Sequence, residues 1–294
     1  MNIPPTIQQG VLELLKQKIS DNITLEDFTF IAGGCINNGG KLTTSHGNYF
    51  LKWNDAAKFP EMFKAEAKGL KLLAQSKSIY IPHVIGTGKA ESFQFLVLEF
   101  ISASYRPERY WRDFGVQLAA LHQTTATSFG LEHDNYIGSL PQQNTLQDSW
   151  IDFFIRHRLD VQLRLAERSA LADKSLLHNF ETLYKKLPDL LVIEKPALLH
   201  GDLWSGNIMV NQQGAPGLID PAVYFGHREI DIAMTQLFGG FDPEFLQVYH
   251  EAFPLQPGVE DRLQLYNLYP LLVHVNLFGA SYLAQVKSIL RRFI

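Results

Sequence analysis

Residues 199–221 constrain this chain more than any other stretch. The string Leu199-His200-Gly201-Asp202-Leu203-Trp204-Ser205-Gly206-Asn207 runs into a short apolar segment, Ile208-Met209-Val210. A second short apolar run then ends in Leu218-Ile219-Asp220-Pro221. Two short strands behind a polar loop read as a small hairpin set between other elements. The hairpin delivers Asp202, Asn207 five residues later, and Asp220 thirteen residues after that. An isolated Asp-x-x-x-x-Asn is common and describes a solvated loop. Here His-Gly stands before it and apolar strands behind it, which is the context that gives such a motif meaning. One carboxylate that accepts a hydroxyl proton, and an amide oxygen and second carboxylate that hold metal ions, are what phosphoryl transfer from a Mg-nucleotide needs.

The chain has 294 residues, 46% of them apolar, with a formal charge of −4. That is long for one domain and suits two lobes with a cleft between them. The acidic balance offers no basic field to nucleic acid. Cys35 is the one cysteine, so no internal disulfide forms, and a reducing, cytoplasmic setting fits. Met1-Asn2-Ile3-Pro4-Pro5 has neither a basic nor an apolar leader region. The most apolar stretch, Leu268 to Ala284, is interrupted by Pro270, His274 and Asn276 and reads as a buried helix, so no membrane contact is expected.

The spacing of Ile7, Val11, Leu14, Leu15 and Ile19 predicts an amphipathic helix over 7–19. A short strand, Phe28–Ile31, a glycine-rich turn over 33–40 and a returning strand, Tyr49–Trp53, follow. This is how a nucleotide-covering loop is built, with Gly33 and Gly34 against the phosphates, although an ordinary hairpin has the same look. Lys52 lies within the returning strand. A lone strand lysine is usually solvated, but the next helix, about 60–74, puts Glu66 on the edge of the stripe formed by Phe63, Ala67, Leu70 and Leu73. A carboxylate leaning into a core needs a cation, and Lys52 is the nearest in sequence. Phe93–Phe100 is a strong strand, after which the pattern breaks. An adenine-facing hinge is expected near Leu98–Ile101, with Glu99, Phe100 and Ile101 offering backbone groups and the Glu99 side chain in solvent. The expected division is an N-lobe over 1–100 and a C-lobe over 101–294. Beyond the hinge, helices are expected at about 109–124, 148–168, 175–187, 229–239, 243–252 and 260–289.

With these pieces assembled, the chain resembles the fructosamine-3-kinase (ketosamine-3-kinase) family. The matching residues include Gly33-Gly34-Cys35-Ile36, Phe63-Lys64-Ala65-Glu66, Ala197 through Asn207, Ile219-Asp220-Pro221-Ala222, Tyr224 through Glu229, Phe238-Gly239-Gly240-Phe241 and Asn276-Leu277-Phe278-Gly279. Asn135-Tyr136-Ile137-Gly138-Ser139 and Trp150 through Phe154 resemble the bacterial members. The Asp202–Asn207 spacing is also that of protein-kinase catalytic loops. Gly201 stands where those have arginine, and Asp220-Pro221-Ala222 where they have Asp-Phe-Gly, which points to the small-molecule branch that includes aminoglycoside phosphotransferases. The resemblance implies an α+β, two-lobed protein-kinase-like fold. A small N-lobe carries an antiparallel sheet and one key helix, and a larger C-lobe is mainly helical. It further implies ATP and Mg²⁺ as cofactors, Asp202 as the catalytic base, Asn207 and Asp220 at the metal, and Lys52 with Glu66 at the α- and β-phosphates. The implied reaction is phosphorylation of the 3-hydroxyl of a ketosamine, free or on a protein lysine. The 3-phosphate lies β to the C2 carbonyl, so it can be eliminated and the amine released, a deglycation repair activity. A monomer or a dimer is compatible with all of this.

Other residues keep two readings. Trp204 stacks on the sugar or packs under the loop. His200 and Asp231 brace the loop, with a simple helix N-terminal carboxylate as the alternative for Asp231. His227, His274 and Asn276 line the acceptor pocket or are hydrogen-bonded core residues. His122 reads as a helix-end core contact. Cys35 is a redox-sensitive thiol in the phosphate loop or a small buried residue. Two rival functions are a nucleotide-binding pseudokinase and an aminoglycoside or choline kinase. The first lacks none of the catalytic polar groups it would be missing. The second expects an acidic acceptor site, whereas residues 262–294 carry four basic and no acidic side chains.

Overall fold

Ile7, Val11 and Leu15, behind a proline in the first turn, form the buried stripe of α1 (Pro5–Lys18). The computed structural model describes residues 1, 3–31 and 37–294. After α1 come β1 (Leu25–Phe30), β2 (Asn38–Thr44), β3 (Gly47–Asp55), α2 (Met62–Gln75), β4 (Val84–Ala90) and β5 (Phe93–Glu99). Then follow α3 (Tyr110–His122), β6 (Asn135–Ile137), β7 (Leu140–Gln142), α4 (Trp150–Phe154), a π turn (Ile155–Leu159), α5 (Asp160–Arg168), α6 (Lys174–Leu190) and β8 (Ala197–Leu199). The last part holds β9 (Ile208–Val210), β10 (Pro216–Leu218), β11 (Tyr224–Gly226), α7 (Glu229–Leu237), α8 (Pro243–Ala252), α9 (Val259–Tyr266), α10 (Leu268–Phe278) and α11 (Leu283–Phe293). Two compact units emerge, Met1–Tyr110 with Gly206–Pro221, and Trp111–Ser205 with Ala222–Ile294.

The first unit is an antiparallel sheet of order β1-β2-β3-β5-β4. One face buries Leu42, Leu51, Trp53, Phe95 and Val97 together with the α1 stripe. The period of two then turns Lys52 and Asn54 to the opposite face, where Lys52 meets Glu66 and Asn54 meets the Met62 sulfur, both on α2. Of the glycine turn expected over 33–40, residues 38–40 are strand. Gly39 and Gly40 already belong to β2, so β2 is the first returning strand and Tyr49–Trp53 belongs to the third. The reason is local: a Cβ on Gly40 would lie 2.3 Å from the Thr29 carbonyl oxygen and 2.6 Å from the Phe28 ring. Glycine is there for close strand approach, a role that looks like a turn in the sequence. The β9–β10 hairpin joins this unit from far along the chain. Leu218 N–H donates to the Tyr80 carbonyl, Tyr110 Oη–H to that of Met209, and Ser104 N–H to that of Val210.

The second unit is mainly helical. Trp150, Phe153, Phe154, Tyr224 and Tyr266 meet in its centre. The helix expected over 148–168 runs through, but its middle widens into the π turn. The helix expected over 260–289 is three helices, broken at Asn267 and at Gly279. Two arginine–carboxylate pairs lie inside: Arg228 with Glu194 at 2.7 Å and Arg262 with Glu229 at 2.7 Å. Among the described residues no helix is long and apolar enough to cross a membrane.

Candidate active site

In the first unit, Lys52 Nζ lies 2.8 Å from Glu66 Oε1 and 2.7 Å from Asp220 Oδ1. The pairing of Lys52 with Glu66 expected from the sequence is present, and Asp220 is a second partner. Burial works against the Lys52 charge, but Asp220 and Glu66 outweigh it and hold the ammonium's pKa above the ordinary lysine value. Burial lifts the Glu66 carboxyl, with Lys52 pulling the other way. One cation is therefore shared by two carboxylates, and the cluster has room for further positive charge. Asp220 is the more open of the two carboxylates, its side chain 42% exposed against 10% for Glu66. It sits at φ 54°, a left-handed conformation that turns the chain sharply ahead of Pro221. Asn207 ends a 3₁₀ turn, is buried, and its amide N–H reaches the Asp220 carbonyl at 3.5 Å. A carboxylate and an amide oxygen are hard donors that suit Mg²⁺, which commonly takes one or two protein ligands and fills its shell with phosphate and water.

In the second unit, the loop that carries Asp202 hangs from the carboxylate of Asp231. Asp231 is fully buried and accepts from His200 N–H at 2.7 Å and Gly201 N–H at 2.9 Å. The bracing role for Asp231 is thus present in hydrogen bonds. Asp231 also lies 3.2 Å from His122 Nε2, and His122 Nδ1 lies 2.8 Å from Tyr249 Oη. A carboxylate only accepts, so His122 donates to Asp231 from Nε2, and Nδ1 shares a hydrogen bond with the Tyr249 hydroxyl. His122, read from the sequence as a core contact, is a support of the loop. The only sign of this was a polar residue beside Leu118, Ala119 and Leu121. His200 Nδ1 accepts from Asp202 N–H at 3.3 Å, and the His200 carbonyl from Ala222 N–H at 2.9 Å.

The remaining expected residues are placed as follows. Gly33, Gly34 and Cys35 lie outside the described residues. Glu99 stays partly exposed, and its side chain also makes a hydrogen bond. Its Oε2 accepts from His83 N–H at 3.0 Å, its own N–H donates to the His83 carbonyl at 2.8 Å, and burial together with Glu99 raises the Tyr80 hydroxyl pKa. Phe100 packs against the Lys41 ammonium and Ile101 is buried. Trp204 is 38% exposed, so part of its side chain is accessible. His227 is fully buried, stacked on Tyr266 with ring centres 5.3 Å apart. Burial pushes its pKa down to about 4 against the pull of Glu194. No face of it is open to an acceptor, and it belongs to the core. Asn276 donates to the carbonyl and the side-chain oxygen of Gln162, again a packing role. His274 is half-buried among Phe238, Phe278 and Tyr282, the first two exposed. Its Nδ1 meets the Pro270 carbonyl at 2.7 Å, and burial lowers its pKa.

The fructosamine kinase family model matches residues 7–294. The chain belongs to the fructosamine kinase family. It is 40% identical over 294 residues to a Synechocystis protein named probable ketoamine kinase, covering 98% of this chain and 97% of that one. It is 37% identical over 269 residues to an Arabidopsis thaliana protein named protein-ribulosamine 3-kinase, chloroplastic, covering 90% of this chain and 81% of that one. The crystal structure of a Haemophilus somnus protein assigned as a fructosamine-3-kinase superposes with a TM-score of 0.89 at 28% identity, covering 97% of each chain. An aminoglycoside phosphotransferase solved with AMP-PNP and hygromycin B gives 0.62 at 16% identity over 96% of this chain and 98% of that one, a likeness of fold alone. The fold is thus the kinase-like fold, and members of this family are kinases.

Proposed function

We propose that the protein is an ATP- and Mg²⁺-dependent ketosamine 3-kinase that acts on ribulosamine-, erythrulosamine- or fructosamine-type adducts, free or on protein lysines. The observation that carries the reading is Lys52 seated between Glu66 and Asp220 at 2.8 and 2.7 Å. In this reading Asp220 and Asn207 would hold Mg²⁺, which would supply positive charge to screen the nucleotide phosphates. Lys52 turns to the α- and β-phosphates and keeps Glu66 as its anchor. Gly33 and Gly34 bind the nucleotide, and main-chain groups of Glu99, Phe100 and Ile101 face the adenine. The Asp202 carboxylate accepts the proton of the ketosamine 3-hydroxyl. The O3–P bond forms as the γ-phosphorus parts from ADP, so the products are the 3-phosphate, ADP and a proton carried on Asp202. Trp204 stacks on the sugar, and His274 with its aromatic neighbours takes the amine-bearing portion.

The test is ADP release from Mg-ATP with a ribulosamine, a fructosamine, an aminoglycoside and choline side by side. Turnover confined to the ketosamines, with the phosphate located on O3 by NMR, is expected. Turnover of the aminoglycoside or choline alone would overturn the reading, and so would ADP release that no acceptor stimulates.

A further inference from the structure

The hairpin of β6 and β7 has no role in the reaction just described, yet its polar side chains are buried and every amide end is engaged. Gln142, 2% exposed, donates one N–H to Asn135 Oδ1 at 2.8 Å and the other to the Ala222 carbonyl at 3.1 Å. Its Oε1 accepts from Tyr269 Oη–H at 2.6 Å. Asn135 Nδ2 donates to the Val223 carbonyl at 2.8 Å, and its Oδ1 also accepts from Asn144 Nδ2 at 2.9 Å. Asn144 Oδ1 accepts from Arg158 Nη2 at 2.7 Å, and the π turn lays the Arg158 guanidinium 3.9 Å over the Tyr224 ring. Reversing any one amide would set donor against donor or acceptor against acceptor, so the network favours one arrangement.

What the network grips is the backbone that touches the Asp202 loop. The Ala222 carbonyl held by Gln142 lies against Gly201, where a Cβ would come within 2.1 Å of that oxygen. The Ala222 N–H donates to the His200 carbonyl at 2.9 Å. Ala222 is thus docked on residues 200–201 at one side and on the hairpin at the other. We propose that the β6–β7 hairpin is a positioning element for phosphoryl transfer: Gln142 and Asn135 fix the Ala222 and Val223 carbonyls, and through them the backbone from which Asp202 projects. The inference rests on the reading of Asp202 as the proton acceptor.

Gln142→Met keeps the size of the side chain and removes its hydrogen bonds. Amides in 199–203 and 222–224 should then exchange with deuterium about tenfold faster, while those of α6 are unchanged. The kcat for a ribulosamine should fall about tenfold or more, with KM for Mg-ATP within about twofold, because misplacing a reacting group acts on turnover. Leu183→Ala, in the α6 core, is the control that lowers Tm and leaves kcat alone. A kcat within about twofold of wild type overturns the proposal, as does a fall in kcat without faster exchange. If wild type does not phosphorylate the ribulosamine, the functional reading fails, and the exchange measurement alone decides this one. If Gln142→Met does not fold, the same two measurements are made on Tyr269→Phe, which frees the acceptor end of the same amide, with the same outcomes deciding.

Discussion

Lys52 neutralises one of its two carboxylate neighbours and leaves the other in want of a cation. That arrangement makes opposite demands on folding and on turnover, and substitutions separate them. Lys52→Met leaves the Glu66 side chain, 10% exposed, without a partner. Breaking a buried pair from one side costs roughly 3–5 kcal/mol, and less of that comes from the open Asp220. Tm should therefore fall and turnover should drop by about two orders of magnitude. Adding Glu66→Leu removes the stranded carboxylate, so Lys52→Met/Glu66→Leu should recover most of the Tm and none of the turnover. Recovery of both would mean that Lys52 serves folding alone. Asp202→Asn tests the other half of the chemistry. It should cut turnover by roughly 10² or more with Mg-ATP affinity within about twofold, measured by calorimetry. More than half of wild-type turnover would remove Asp202 from the role. The Lys52–Glu66 pair was legible in the sequence because a lysine in an apolar strand and a glutamate on a helix stripe each need the other. Asp220 as a third member was not, since nothing in a linear pattern brings residue 220 to residue 52.

At the level of elements, what the sequence hid was backbone geometry. β2 was concealed by Gly39 and Gly40, whose composition reads as a turn although close strand approach requires glycine at position 40. β4, with glycine at 86 and 88, was concealed in the same way. The π turn was invisible because one extra residue in a helix leaves no mark on apolar spacing, yet it is what brings Arg158 fully inside. The helices with clear stripes or caps were legible: α1, α2, α6 behind its Asp173 cap and α8 behind Asp242. Gly201 gives a test of how tightly the loop is built. It has φ 82° and lies against the Ala222 carbonyl, whereas Gly239, at φ 71°, has nothing within 4 Å of an added Cβ. Gly239→Ala should show only left-handed strain, about 1–2 kcal/mol. Gly201→Ala adds a backbone collision and should lose more stability, with turnover reduced about tenfold or more. Urea unfolding and steady-state kinetics on the two variants compare them directly; equal effects would show that the loop yields.

For the whole molecule, the string 199–207 is divided between units: residues up to Ser205 belong to one and Gly206 onward to the other. The groups proposed for the nucleotide and metal, Lys52, Glu66, Asn207 and Asp220, share the first unit, and Asp202 with its braces His200, Asp231 and His122 shares the second. A reading along the chain cannot see that division, because the hairpin of the first unit is made from the middle of the second. The second unit also contributes to how the protein responds to acid. Burial pushes His227 from its ordinary 6.5 down to about 4, with Glu194 opposing. Between those two values the unfolded chain carries a proton on this ring and the folded chain does not, so unfolding takes up a proton and stability falls as pH falls. The contribution is complete above about 6.5 and is lost toward pH 4, and it amounts to about 3 kcal/mol over the whole window. His157 and His274, both lowered first by burial, act in the same direction. Glu194, whose carboxyl is held low by Arg228 and the neighbouring charges against the effect of burial, extends the loss to more acidic pH. Urea unfolding followed by tryptophan emission is suited to this, because Trp150 lies 6.0 Å from His227. Wild type should lose stability between about pH 7 and about pH 5, and His227→Gln, which has no ring to protonate, should lose distinctly less over the same interval. Parallel slopes for the two proteins would show that His227 is protonated in the fold as readily as in the unfolded chain.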